Sequence, residues 1–204
     1  KQNGDCVDIT TVYKLRTATF SNAGHLKVLL SINGNGEIAV SYKFSCLTVK
    51  MPPRLGLAFE MPKEFKNIKY FGYDCESLSD FHEHAVLKVG ETSVSDMRCK
   101  YIKPQESEMR YSTYWAEITD DDGTGIKVES DNSFVFSAHH YNPEQCAKAT
   151  HNEDLLDYDT TFIGIDGYML GAGSNACGPI PAKNSRKAFS ASYKNSFKIK
   201  PIGE

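Results

Sequence analysis

The stretch HLKVLLSI-NGNG-EIAVSYKFSCLTV, residues 25 to 49, decides how this chain is read. Apolar and polar residues alternate loosely on both sides of Asn33-Gly34-Asn35-Gly36. Asn-Gly pairs supply the positive-φ positions that tight hairpin turns need. A period of two on either side of such a turn predicts two antiparallel strands. Upstream, ITTVYKLRTATF (9 to 20) is rich in β-branched and aromatic residues and stops at the breaker Ser21-Asn22-Ala23-Gly24.

The same grammar continues downstream. Met51-Pro52-Pro53 excludes a central strand at that point, because proline cannot donate to a ladder. RLGLAFEMP and NIKYFGYD then read as short strands. SEMRYSTYWAEIT (107 to 119) alternates polar with aromatic or aliphatic groups, and Asp120-Asp121-Asp122-Gly123 turns the chain into GIKVES and SFVFSAH, two further strands. TTFIGIDGYML and AFSASYKNSFKIKP complete an all-β pattern. One short helix is predicted near 143 to 151, with Asn142 as N-cap and Pro143 at its first position. Without repeats, low-complexity tracts or linkers, 204 residues predict a single β-sandwich domain.

A net charge of -3 offers no basic footprint for nucleic acid or an anionic membrane surface. No apolar run approaches the roughly 18 to 20 residues of a membrane helix, and the start KQNGDCVDIT lacks the plan of a signal peptide. A cytoplasmic setting is therefore expected. Cys6, Cys46, Cys75, Cys99, Cys146 and Cys177 form no C-x-x-C pair and are expected as reduced thiols. The chain starts at Lys1 almost within a strand pattern, which suggests a beginning inside a larger domain.

Catalytic constellations are sparse. Glu106 with Glu108, and the run Asp120 to Asp122, are the acid pairs available for general acid/base work. Both sit in turn-like stretches where water is expected to satisfy them, and the aspartate run lacks the alternate ligands and terminal glutamate of a calcium loop. His82 and His84 are spaced to share one face of a strand, yet no spacing ties them to His139, His140 or His151 as a zinc site requires. In an extended strand His139 and His140 would point to opposite faces, so only one of them could serve a given site. There is no G-x-S-x-G elbow and no phosphate-cradling glycine loop. The remaining feature is the glycine-rich loop from Gly171 to Pro179, a tight turn of the kind that carries function.

Six segments together carry a resemblance. RLGLAFEMP (54 to 62), NIKYFGY (67 to 73), SVSDMRCKYIKPQESEMR (93 to 110), SFVFSAHHY (133 to 141), KATHNEDL (148 to 155) and IDGYMLGAGSNACGP (165 to 179) stand in the order and spacing of the C-terminal domain, the fifth, of glycoside hydrolase family 2 β-galactosidases. The resemblance implies an antiparallel β-supersandwich like that of galactose mutarotases. It also implies a missing catalytic barrel, in the same polypeptide or as a separate large subunit. That barrel would supply the catalytic glutamates and the magnesium and sodium sites, with a β-galactoside such as lactose as substrate and a homo-oligomer as the intact form. The present chain would contribute no catalytic residue and no metal ligand, and would be inactive alone. Its part would be to complete the active-site mouth through Ser174, Asn175 and Cys177.

Two departures from the family pattern stand out. Cys177 occupies the place of a tryptophan on which the sugar beyond the scissile bond stacks, in a loop one residue shorter. Asp74 to Asp80 has lost the Gly-Pro and Tyr of a G-P-x-E-x-Y-x-D pattern, which implies a reshaped corner. The family also has strands upstream of Ile9, so an open sheet edge is implied. A stand-alone carbohydrate-binding or mutarotase-like protein is the alternative, and it requires His139 or His140 to share a concave groove with a carboxylate.

Overall fold

In a computed structural model, residues 2–17, 21–46, 48, 52–74, 85–170 and 192–203 are described. The turn at Asn33 joins β3 (Gly24–Asn33) to β4 (Ile38–Ser45). The Asn33 side-chain oxygen accepts from the backbone N–H groups of Asn35 and Glu37, each at 3.0 Å, and Gly36 takes the positive φ of 80°. This is the hairpin that the Asn-Gly pairs predict. Outward from it run β2 (Cys6–Leu15), in register with β3, and β1 (Gln2–Asn3). Along β2, Val7, Ile9, Val12 and Tyr13 are exposed.

The rest of the sheet is organised by β9 (Gly125–His139), fifteen residues long. One side pairs along most of its length with β8 (Met109–Thr119). The other side changes partner: Gly125 to Glu129 pair with β11 (Ser192–Ile202), and Val135 to His139 pair with β10 (Thr160–Met169). The sheet therefore forks. One arm runs through β11 and β4 to β3 and β2, and the other through β10 to β5 (Arg54–Pro62). Beyond β8 lie β6 (Asn67–Tyr73) and β7 (Leu87–Ser93). Every pairing is antiparallel.

The arms close over one core in which Val40, Tyr42 and Phe44 of β4 join Ile68, Ile118, Phe136, Ile163 and Ile165. The Tyr42 hydroxyl donates to the Leu55 carbonyl and accepts from Gly167 N–H at 3.2 Å, so one phenol ties β4 to both strands of the second arm. A buried hydroxyl satisfied in both roles costs little and fixes the separation of the layers.

Three expectations need correction. GIKVES and SFVFSAH are one strand, because Asp131 and Asn132 fall where β9 changes partners and their exposed positions need not be apolar. The helix α1 (Pro143–Lys148) is capped by Asn142 as predicted but stops at Lys148. There the Asp154 carboxylate takes the N–H groups of Thr150 and His151 and draws the chain into a separate 3-10 turn, Asn152–Asp154. Strand β7 was not foreseen: it is a largely exposed strand with little alternation.

Candidate functional site

Two polar clusters lie near the β9–β10 half of the fork. In the first, Arg54 opens β5 and reaches both Glu106, at 2.8 Å, and Asp166 on β10. Close approach of the two strands makes this possible. Gly56 stands opposite Asp166, and a Cβ there would lie 2.3 Å from the Asp166 carboxylate and 2.4 Å from the Ile165 carbonyl. Asp166 is 4% exposed. Burial raises its pKa above the ordinary carboxylate value, with the hydrogen bond and charge of Arg54 opposing. Burial likewise works against the Arg54 charge, but bonds and charges from Asp166 and Glu106 outweigh it and hold the guanidinium more firmly protonated.

The second cluster is a cavity of about 470 Å³, with Glu108, His139, His140, Tyr141, Asp96 and Arg98 among its lining. Glu108, just before β8, is 2% exposed. One of its oxygens accepts from the Tyr141 hydroxyl at 2.7 Å and from Ser107 N–H at 2.9 Å, while the other has no partner. His139, the last residue of β9, is 5% exposed, and its Nε2 also lacks a partner. Its ring stacks between Tyr141, with centroids 4.8 Å apart, and Phe162, at 5.9 Å. Burial, with Arg54 and His140 adding, pushes the His139 pKa down to about 4, so the imidazole is neutral at pH 7. Burial followed by the Glu108 charge pushes the Tyr141 phenol up, so it stays a hydrogen-bond donor.

Each residue singled out in the sequence can now be placed. Glu106 and Glu108 are not left to water: the first is ion-paired and the second is buried under Tyr141. His139 and His140 line the same cavity, contrary to the opposite-face expectation, because β9 ends at His139 and the chain bends there. His140 Nδ1 lies 3.3 Å from the Thr160 carbonyl. Asp120 to Asp122 form a hairpin turn, with Asp120 accepting from the N–H groups of Asp122 and Thr124 and Gly123 at φ 81°. Cys6, Cys46, Cys99 and Cys146 are free thiols. His82, His84, Cys75 and the loop from Gly171 to Pro179, with Ser174, Asn175 and Cys177, lie outside the described residues. Among the described residues, no group of three or more His, Cys, Asp or Glu side chains is placed to hold a metal ion, and no helix is long and apolar enough to cross a membrane.

Sequence reasoning missed that Glu108, Tyr141 and Arg98 line one cavity with His139, and that Tyr141 stacks on its ring. One signal was available, since Tyr141 stands only two residues beyond His139.

Fold and site together define an all-β, antiparallel protein with one short helix and a polar cavity at the end of its longest strand. This chain belongs to the family described as beta galactosidase small chain, which matches residues 1–199. It is 35% identical over 156 residues to a beta-galactosidase of Staphylococcus xylosus, covering 72% of this chain and 15% of that protein. To a beta-galactosidase of Streptococcus thermophilus it is 32% identical over 203 residues, covering 97% of this chain and 19% of that protein. The chain thus spans less than a fifth of these relatives' length. Among solved structures it is similar to a GalM/aldose epimerase homologue from C. elegans, with a TM-score of 0.39 and 8% identity over 99% of this chain and 67% of the other.

Proposed function

We propose that this chain is the C-terminal β domain of a cytoplasmic β-galactosidase of glycoside hydrolase family 2, which removes terminal β-D-galactose residues. Its role is to complete the mouth of an active site whose catalytic groups, and any magnesium or sodium, belong to a partner barrel in the same polypeptide or in a large subunit. The observation that carries this reading is the family match over nearly the whole chain, with relatives roughly five times as long. In the assembled enzyme Ser174, Asn175 and Cys177 would form one wall of the subsite for the leaving sugar.

Mixing supplies the test. The chain alone is expected to leave a chromogenic β-galactoside intact, and its addition to a β-galactosidase truncated before the matching region is expected to restore hydrolysis. Turnover by the isolated chain, or no restoration by a folded chain, would sink the reading. Within the assembled enzyme, Cys177→Trp should strengthen inhibition by glucose by about two- to tenfold, because an indole face against a sugar adds apolar contact that a thiol lacks. Unchanged glucose inhibition would remove the loop from the subsite.

A further inference from the structure

We propose that the outer face of β3, β4 and β11 docks a second copy of this chain, with a row of three lysines on one copy receiving the acidic segment 153–159 of the other. The contact uses no residue of the 171–179 loop and no step of glycoside hydrolysis, so it goes beyond the function proposed above.

The primary observation is a row of like charges. Lys27 on β3, Lys43 on β4 and Lys194 on β11 stand directly opposite one another in register, and all three are exposed, on the face turned away from Val40, Tyr42 and Phe44. Side chains paired in this way have Cβ atoms about 4.5–5.5 Å apart, and like charges there are destabilising. Elsewhere in the sheet such lysines face acids: Lys69 stands opposite Glu91 with an ion pair of 2.8 Å, and Lys127 opposite Glu117 with one of 3.3 Å. No acid among the described residues forms an ion pair with Lys27, Lys43 or Lys194. A chain of net charge -3 thus gathers three bases with no counter-ion of its own.

The row also has a shape. It rims a hollow of about 440 Å³ whose described lining contains no acid. Leu29, Ser41 and Ser196 line both this hollow and a neighbouring one of about 500 Å³, so the two adjoin as a trough. Ser41 and Ser196 stand two residues from Lys43 and Lys194 and share their face. Their small side chains leave the floor low, and Leu29 adds an apolar wall.

The same chain carries the complement. Segment 153–159 is exposed at every position but Leu155 and holds Glu153, Asp154, Asp157 and Asp159. Asp154 is engaged by its own turn, and Asp157 lies 3.5 Å from the exposed Lys63. Glu153 and Asp159 form no ion pair among the described residues. Leu156, 66% exposed, stands among these acids. Acids around an exposed leucine answer lysines beside a leucine wall. The negative charge of the whole chain opposes a long polyanion, so a short acidic segment suits this row better than nucleic acid does.

Sedimentation velocity tests the contact. At about 50 mM salt the weight-average sedimentation coefficient of the chain should rise between about 10 μM and 1 mM, the range of a small, weak interface. About 500 mM salt should abolish the rise, because exposed charges are then screened. Lys43→Glu and Asp159→Lys should each weaken self-association by about tenfold or more. An equimolar mixture of the two should regain it, since each variant keeps the surface that the other has lost. Lys88→Glu on β7 changes the net charge equally and should leave association as it was. A chain that stays monomeric to about 1 mM overturns the proposal, and this series needs no variant. Association indifferent to Lys43→Glu and Asp159→Lys, or a mixture that stays apart, overturns it as well. Retention of poly-L-glutamate by a monomeric chain would assign the row to a foreign acidic segment instead.

Discussion

Replacing Arg54 by alanine is expected to lower stability by about 3 kcal/mol, because breaking a buried ion pair from one side leaves the other charge uncompensated. The low end of the usual range applies, since the Arg54 side chain is 34% exposed while that of Asp166 is 5% exposed. For a chain of this size the melting temperature should fall by about 6–12 °C. The pH dependence identifies the cause. The folded pKa of Asp166 is already raised, first by burial, with Arg54 opposing that rise. A carboxyl with a raised folded pKa contributes stability below its unfolded pKa and loses it as pH rises through the folded value. Removing Arg54 leaves burial unopposed and moves the folded pKa higher still. The deficit of Arg54→Ala relative to the wild type should therefore be largest where the stranded carboxyl is ionised and shrink as pH falls from there into the range where Asp166 is protonated in both proteins. A deficit independent of pH over that interval would place the loss in the packing of the arginine stem and not in the stranded carboxylate.

The legibility of this chain follows the range of the interactions concerned. Turns are local, so the Asn33-Gly36 hairpin, the Asp120-Gly123 turn and the Asn142-Pro143 start of α1 could be read from neighbouring residues alone. Strand existence was legible wherever one face is buried, as in β4 and β6, whose exposure alternates strictly enough to reveal itself. β7 faces water along much of its length and carries no such trace. The fork was not legible, because a single strand that serves two partners differs from two strands only in what lies beside it.

The same holds for the site. Glu108 reads as a turn acid until Tyr141, thirty-three residues on, is laid across it. Arg54 and Asp166 are separated by 112 residues and meet only because β5 and β10 pair. The resemblance to β-galactosidases directed attention to the 171–179 loop, whereas the described clusters gather around β8, β9 and β10. Local sequence points to chemistry carried on loops; chemistry assembled between strands needs the register.

Phe136→Ala should be the most damaging single change in the core, at about 3–5 kcal/mol, the range for deleting a fully buried aromatic side chain. Phe136 is 0% exposed and sits just past the fork, opposite Ile165 on β10 and Arg110 on β8. Its loss removes packing at the point where β9 has exchanged β11 for β10, so the pairing that places Phe162 opposite His139 is weakened as well. The melting temperature is then expected to fall by about 10 °C or more. Phe136→Leu, which fills much of the space, should lose only about 1–1.5 kcal/mol, and Val12→Ala on the exposed β2 should change stability by less than about 0.5 kcal/mol. Equal losses from the alanine and leucine variants would mean that the ring, and not the filled volume, holds the fork together.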